Sequence, residues 1–228
     1  MVPGADLFAR RVVKPLHASL ILRRHLEALS GGLLRLLPDG GHLKGVDVGC
    51  GSGRLARLMM ERRPTLEISG ADVVVRPDAV IPVAEFNGAR LPFGDASFDF
   101  AMIADVLHHA GDPAALLREC RRVSRGLIVV KDHLCESRWD ELRLRVMDWG
   151  GNRAEGISMP YRYLSRAGWD RIFRETGLRP EASCERLGLL PPPFSWVFEG
   201  GLHFAARLRV SPSGGCARRR EIATGERG

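Results

Sequence analysis

The sequence predicts an α/β fold in which helices cover both faces of a mostly parallel, doubly wound sheet. Short apolar segments typical of buried strands alternate with segments of helical periodicity, which is the pattern of consecutive strand–helix units. Residues 49–53, after the first predicted strand, hold three glycines and are typical of a strand-to-helix turn. Apolar residues make up 45% of the 228-residue chain and charged residues 27%, a balance that excludes a disordered or fibrous protein.

The predicted elements follow the chain in a regular order. Residues 12–37 carry apolar side chains at helical spacing and predict one or two amphipathic helices, which a turn at 38–41 ends. The strands that follow are predicted at residues 45–48, 66–71, 98–103, 126–130, 179–190 and 203–210. The helices between them are predicted at residues 54–63, 113–123 and 165–176.

These elements divide the chain into three regions. We expect residues 1–40 to form a helical extension that can serve as a lid, and residues 41–210 to form the main domain. The domain contains a less regular insertion at about residues 134–165, which is rich in Trp, Tyr, Arg and Asp. Residues 211–228 have few apolar side chains, and we expect them to form a disordered tail.

The net charge of +7 comes mainly from the two ends of the chain. Residues 1–44 carry +4 and residues 211–228 carry +2, whereas residues 45–210 carry only +1. An enzyme that acts on nucleic acid usually has a basic stripe on its working face. The balanced central region therefore favours a small-molecule substrate and argues against nucleic acid.

The chain has the features of a cytoplasmic protein. No apolar run approaches the roughly 20 residues that a membrane span needs, and Arg10, Arg11 and Lys14 interrupt any stretch that resembles a signal peptide. The five cysteines form no C-x-x-C pair, and no histidine cluster has zinc-ligand spacing. We expect reduced thiols, no metal and no membrane partner.

The glycine turn at residues 49–53 carries the strongest chemical signal. Free N–H groups at the start of the following helix favour a polar or anionic ligand group. The dinucleotide fingerprint G-x-G-x-x-G needs a glycine at position 54, where this chain has Arg54. A nicotinamide-dependent oxidoreductase is therefore disfavoured. Asp72, at the end of the second strand, can accept hydrogen bonds from the ribose of an adenosine-type cofactor.

Three stretches of the chain together resemble one enzyme family. Residues 47–53 (DVGCGSG), 91–99 (LPFGDASFD) and 104–109 (ADVLHH) resemble the motifs of class I S-adenosylmethionine-dependent methyltransferases. They are similar to its small-molecule branch, which includes quinone-type methylases. The resemblance implies a Rossmann-like, seven-stranded sheet whose last strand is antiparallel. It also implies that S-adenosylmethionine lies across the carboxyl ends of the first, second and fourth strands.

The resemblance assigns cofactor-binding roles to residues that follow these strands. The group around the methionine and ribose portion would be Asp47, Gly49, Cys50, Gly51 and Gly53. Asp72 and its neighbour Val73 would meet the ribose, and Asp105 would line the methyl-transfer cleft. The adenine would meet Asn87, Gly88 and Ala89, with Asn87 standing where the family usually has Asp.

The acceptor side is predicted from residue chemistry. A base is needed only when the acceptor must lose a proton, and the candidates after the fourth and fifth strands are His108, His109, Asp132 and His133. Flat aromatic and polar side chains in the insertion and the N-terminal helix are candidates for acceptor binding: His17, Trp149, Asn152, Tyr161 and Tyr163.

The predicted function is methyl transfer to a small molecule, with an aromatic or quinone-like acceptor. Two alternatives stay open: an RNA or protein methyltransferase that docks through the basic ends, and a cofactor-binding partner subunit without activity. Methyltransferases that act on amino groups of nucleic acid or protein carry Asn/Asp-Pro-Pro-Tyr/Phe after the fourth strand, whereas residues 104–107 read ADVL.

Overall fold

The structure is a computed structural model that describes residues 14–152 and 163–210, with side chains described at 22–147 and 163–210. Its helices are α1 (Lys14–Leu34), α2 (Arg54–Arg62), α3 (Pro113–Val123), α4 (Arg138–Asn152), α5 (Arg166–Glu175) and α6 (Phe194–Phe198). Its strands are β1 (Leu43–Val48), β2 (Leu66–Asp72), β3 (Val83–Glu85), β4 (Phe100–Ala104), β5 (Leu127–His133), β6 (Leu178–Cys184) and β7 (His203–Val210).

The seven strands form one sheet in the order β3-β2-β1-β4-β5-β7-β6. Strands β1 to β5 pair in parallel, and β7 is antiparallel to both β5 and β6. The predicted doubly wound sheet with an antiparallel last strand is therefore confirmed.

Both faces of the sheet are buried, as a doubly wound fold requires. Alternate residues of β5 point to opposite faces, so that Ile128 belongs to one apolar cluster and Val129 to the other. Helices α3 and α5 cover the first face, and α1 and α2 cover the second. Helix α1 packs through Leu29 and Leu33, which are 3% and 1% exposed, so the N-terminal helix contributes to the core.

Several predicted boundaries change because pairing decides where a strand begins and ends. The fourth strand begins at Phe100, since Phe98 forms only an isolated bridge to Ser124. The strand predicted at 126–130 continues to His133, because its antiparallel partner β7 pairs along its whole length.

Other differences concern segments with weak periodicity. The strand predicted at 179–190 ends at Cys184, where its pairing with β7 ends. The sequence predicts no strand at the position of β3. Its three residues form a strand because they pair with β2. The insertion predicted at about residues 134–165 to be less regular contains the helix α4.

Two global features accompany this fold. Within the described residues, no helix is both long enough and apolar enough to cross a membrane. The cysteines of the described part of the chain are free thiols: Cys50, Cys120, Cys135 and Cys184.

Candidate functional site

The polar residues singled out in the sequence meet at one edge of the sheet. Strands β1, β2, β4 and β5 are parallel neighbours, so the residues that end or follow them lie together. The glycine turn at 49–53 follows β1, Asp72 ends β2 and Asp105 follows β4. Asp132 and His133 end β5.

Two adjoining cavities open at this edge. The first has a volume of about 700 Å³ and is lined by the glycine turn, the end of β2 and the residues that follow β4. The second has a volume of about 340 Å³ and is lined by five of the chain's seven histidines and by aliphatic side chains. Asp105 and His109 line both cavities, so the cavities meet at these two residues.

Close approach and packing explain the glycines of the turn. Gly49 and Gly51 line the first cavity, and Gly51 has a φ of 56°, which glycine adopts without a steric cost. Gly53 has a φ of 75°, and a Cβ there would lie 2.3 Å from Cγ1 of Ile81. Gly53 is therefore required by packing against the loop after β2.

Asp72 joins the turn to the end of β2. Its Oδ2 accepts a hydrogen bond from the backbone N–H of Gly51 at 2.6 Å, and its Oδ1 accepts one from Val74 at 3.3 Å. Asp72 and Val73 also line the first cavity. The carboxylate thus holds the turn and remains at the cavity surface.

Two titratable groups lie behind the turn. Burial, and secondarily the charge of Asp72, raise the pKa of Asp47 to about 7. Burial and the nearby charges of Asp47 and Asp72 raise the pKa of the Cys50 thiol to about 12. A Cβ on Gly70 would lie 2.3 Å from Sγ of Cys50, so this thiol fills space against β2.

The residues predicted to meet adenine form an exposed turn beside the first cavity. Oδ1 of Asn87 accepts hydrogen bonds from the backbone of Ala89 at 3.0 Å and of Arg90 at 2.9 Å. The neighbouring Phe86 lines the cavity. Contact of Asn87, Gly88 and Ala89 with adenine stays a prediction.

Asp132 and His108 form a buried dyad beside the second cavity. Nδ1 of His108 lies 2.7 Å from Oδ1 of Asp132, and their side chains are 3% and 0% exposed. The backbone N–H groups of Leu107 and His133 donate to the same carboxylate at 3.1 and 2.7 Å. Because a carboxylate accepts, Nδ1 of His108 donates. In the neutral form of this ring, Nε2 is the nitrogen that can accept a proton. A carboxylate orients a histidine base in this way.

An ion pair lies where the two cavities meet. Nζ of Lys131, whose side chain is 1% exposed, donates to Oδ1 of Asp105. Burial by itself would raise the pKa of Asp105. The positive charge of Lys131, and to a smaller extent that of a protonated His133, outweighs burial and holds this pKa below its usual range. Asp105 is therefore ionised at neutral pH.

Three imidazoles of the second cavity are neutral at physiological pH. Burial, and then the positive charge of Lys131, lower the pKa values of His25, His133 and His203. The pKa of His203 falls to about 3.

The fold brings together a group of side chains with metal-ligand chemistry. Atoms of His108, Asp132 and His133 lie within 4.8 Å of one another, a grouping that sequence spacing did not reveal. Asp132 already accepts three hydrogen bonds, and the ammonium of Lys131 is close enough to lower the pKa of His133. This arrangement is typical of a hydrogen-bond network, and the absence of a metal stays a prediction.

Tyr163 is the predicted acceptor-binding residue whose side chain the structure describes. Its ring centre lies 6.0 Å from those of His108 and His133. Trp169, by contrast, belongs to the core and donates through Nε1 to the backbone oxygen of His133 at 2.9 Å. The remaining candidates lie outside the residues with described side chains: His17, Trp149, Asn152 and Tyr161.

Sequence reasoning missed three polar residues of the second cavity, namely His25, Lys131 and His203. Lys131 had a usable signal, since it is a lone cation directly after the apolar run of β5. His25 follows Leu22 by three residues, the spacing of one helix face, and both line the cavity. His203 has no local signal, because antiparallel pairing places it opposite His133.

Comparisons with known proteins match most of the chain. The family described as "Methyltransferase domain" matches residues 22–183. The chain is 28% identical over 168 residues to the ubiquinone/menaquinone biosynthesis C-methyltransferase UbiE of Cupriavidus necator, a match that covers 62% of this chain and 69% of that protein. It is 34% identical over 100 residues to the demethylmenaquinone methyltransferase of Thermotoga maritima, covering 40% and 44% of the two chains.

A solved structure agrees with the fold. The S-adenosylmethionine-dependent methyltransferase from Mesorhizobium loti superposes with a TM-score of 0.59 at 20% identity. The superposition covers 80% of this chain and 97% of that chain.

Proposed function

Because the chain belongs to the class I S-adenosylmethionine-dependent methyltransferases and uses S-adenosylmethionine as its cofactor, we propose that it methylates a small molecule bound in the second cavity. The observation that carries this proposal is the junction of the two cavities at Asp105 and His109. A methyl group held in the first cavity at this junction faces an acceptor in the second, as an in-line displacement needs.

The acceptor that we propose is aromatic or quinone-like. A cavity of about 340 Å³ suits a small ring system. Leu22, Met147, Leu189 and Leu190 provide its apolar wall, against polar groups on the sheet edge. The names of the relatives from Cupriavidus necator and Thermotoga maritima point to the same class of acceptor.

The first cavity fits S-adenosylmethionine. Its volume of about 700 Å³ is sufficient for a nucleoside with an amino-acid chain, and Gly51 leaves space for close approach. Asp72 uses one bond on each carboxylate oxygen within the protein, which leaves lone pairs for the two ribose hydroxyls. When bound, the cofactor supplies an electrophilic methyl group on a sulfonium.

The residues of the second cavity prepare the acceptor. The apolar wall of the second cavity orients the ring of the acceptor. Nε2 of His108, oriented by Asp132, takes a proton from the acceptor when the reaction releases one. The ion pair of Lys131 with Asp105 places two charged groups where the two cavities meet.

Calorimetric titration with S-adenosylmethionine and separately with NAD is the first test, followed by a screen of phenols, hydroquinones and amines for formation of S-adenosylhomocysteine. We expect micromolar binding of S-adenosylmethionine, no binding of NAD and turnover of at least one aromatic compound. Cofactor binding without turnover of any small molecule, together with salt-sensitive binding of bulk RNA, would contradict the proposed acceptor class.

Cofactor affinity is expected to rise as the pH increases from about 6 to about 8. Asp47 has a pKa of about 7 in the free protein, and the cationic cofactor favours its ionised form. The raised pKa of Asp47 also makes stability depend on pH, because near neutral pH the folded protein holds a proton on Asp47 that the unfolded chain has already released. The free energy of unfolding of the cofactor-free protein should therefore fall as the pH rises through 7. Calorimetry across this range checks both statements, and Asp47→Asn should remove this pH dependence. An equally steep dependence in Asp47→Asn would show that another group is responsible.

A further inference from the structure

His203 and His133 face each other at the edge of the second cavity. His203 begins β7 and His133 ends β5, and the two residues are paired in register. Their side chains are buried and their Nδ1 atoms lie 3.2 Å apart. A nitrogen–nitrogen hydrogen bond needs one donor and one acceptor, so only one of these two atoms carries a proton.

The backbone oxygen of Phe198 determines which nitrogen is the donor. Nε2 of His203 lies 3.0 Å from this oxygen, and because a carbonyl only accepts, Nε2 carries the proton. The depressed pKa of His203 keeps its ring neutral, so its Nδ1 has a lone pair. Nδ1 of His133 must therefore donate to Nδ1 of His203. In a neutral His133 ring, the remaining lone pair is on Nε2.

We propose that His203 is a positioning residue that holds His133 in the Nδ1-protonated tautomer, so that Nε2 of His133 is a proton-accepting atom of the second cavity. This Nε2 lies 3.6 Å from Oδ1 of Asp105, the residue at which the two cavities meet. A proton taken up by His133 goes to Nε2, directly beside the negative charge of Asp105.

The effect of this tautomer on catalysis rests on the proposed function, whereas the tautomer of His133 does not.

Long-range ¹H–¹⁵N correlation spectroscopy of the ¹⁵N-labelled protein tests the tautomer without any substrate. Loss of one set of ring signals in His133→Asn identifies those of His133. We expect a protonated Nδ1 and an unprotonated Nε2 in the wild-type protein near neutral pH. A His133 ring protonated on Nε2 alone would overturn the proposal, and this result needs no variant of His203.

Two substitutions that are both branched at Cγ test the role of His203. His203→Asn retains an oxygen that can accept from Nδ1 of His133, whereas His203→Leu retains none. We expect the tautomer to persist in His203→Asn and to be lost in His203→Leu, with kcat lowered roughly tenfold in the Leu variant and an unchanged dissociation constant for S-adenosylmethionine.

The two readouts separate failure of this inference from failure of the proposed function. An unchanged tautomer in a folded His203→Leu protein would overturn the positioning role. A wild-type protein that methylates no small molecule would contradict the proposed function, while the spectra still decide the tautomer.

Discussion

Replacing His108 with Gln is expected to lower kcat by roughly 10²- to 10⁴-fold for an acceptor that must lose a proton. His108 lines the second cavity, and Asp132 holds it with Nε2 as the accepting nitrogen. Gln can still donate to Asp132 but has no nitrogen that takes up a proton at neutral pH. Steady-state kinetics should show the loss in kcat, and calorimetry should show unchanged cofactor affinity, because the side chain does not line the first cavity.

His42→Gln is the matched control for this substitution. His42 is exposed and lines neither cavity, so the same chemical change there should leave kcat unchanged. Wild-type kcat in a folded His108→Gln protein would show that another group, or water, takes the proton from the acceptor.

Replacing Asp72 with Ala is expected to weaken cofactor binding by roughly 1.5–3 kcal/mol, which corresponds to roughly a 10- to 150-fold higher dissociation constant. The substitution removes the carboxylate proposed to bind the ribose hydroxyls, and it also removes the acceptor for the N–H of Gly51. Both losses act on the same cavity. Calorimetric titration with S-adenosylmethionine measures the change directly.

Asp78→Ala separates a specific role of Asp72 from a general loss of negative charge. Asp78 lines the same cavity but pairs with Arg54 in an exposed ion pair, so its removal should change cofactor affinity little. Equal effects of the two substitutions would indicate a charge effect, and an unchanged dissociation constant in Asp72→Ala would show that Asp72 is not the ribose ligand.

Local patterns predicted the parts of the fold whose signals are contained within one segment. The helix at Pro113–Val123 and the strand at His203–Val210 have the predicted bounds, because apolar periodicity reports which face of a segment is buried. The short β3 was missed, since three residues carry no measurable periodicity and only pairing with β2 makes them a strand.

The residues of the candidate site also divide into those that local patterns predicted and those that only contacts between distant segments bring together. Asp72 and Gly51 were found because they stand at recognisable distances from a strand end, and the structure joins them through a hydrogen bond. Asp132 and His108 were each predicted as candidates for a base. The sequence did not reveal that they form one dyad, because the two positions are 24 residues apart along the chain.

Glycine spacing and strand–helix alternation are local properties of the chain, so they were sufficient to predict the α/β class, the cofactor turn and the membership of a methyltransferase family. The side chains that share the second cavity could be identified only from the way the strands pair in the folded protein. Lys131, His133 and His203 come together because a parallel strand ends where an antiparallel strand begins. That pairing also determines which ring nitrogen of His133 carries the proton, since a tautomer depends on partners that are distant in sequence.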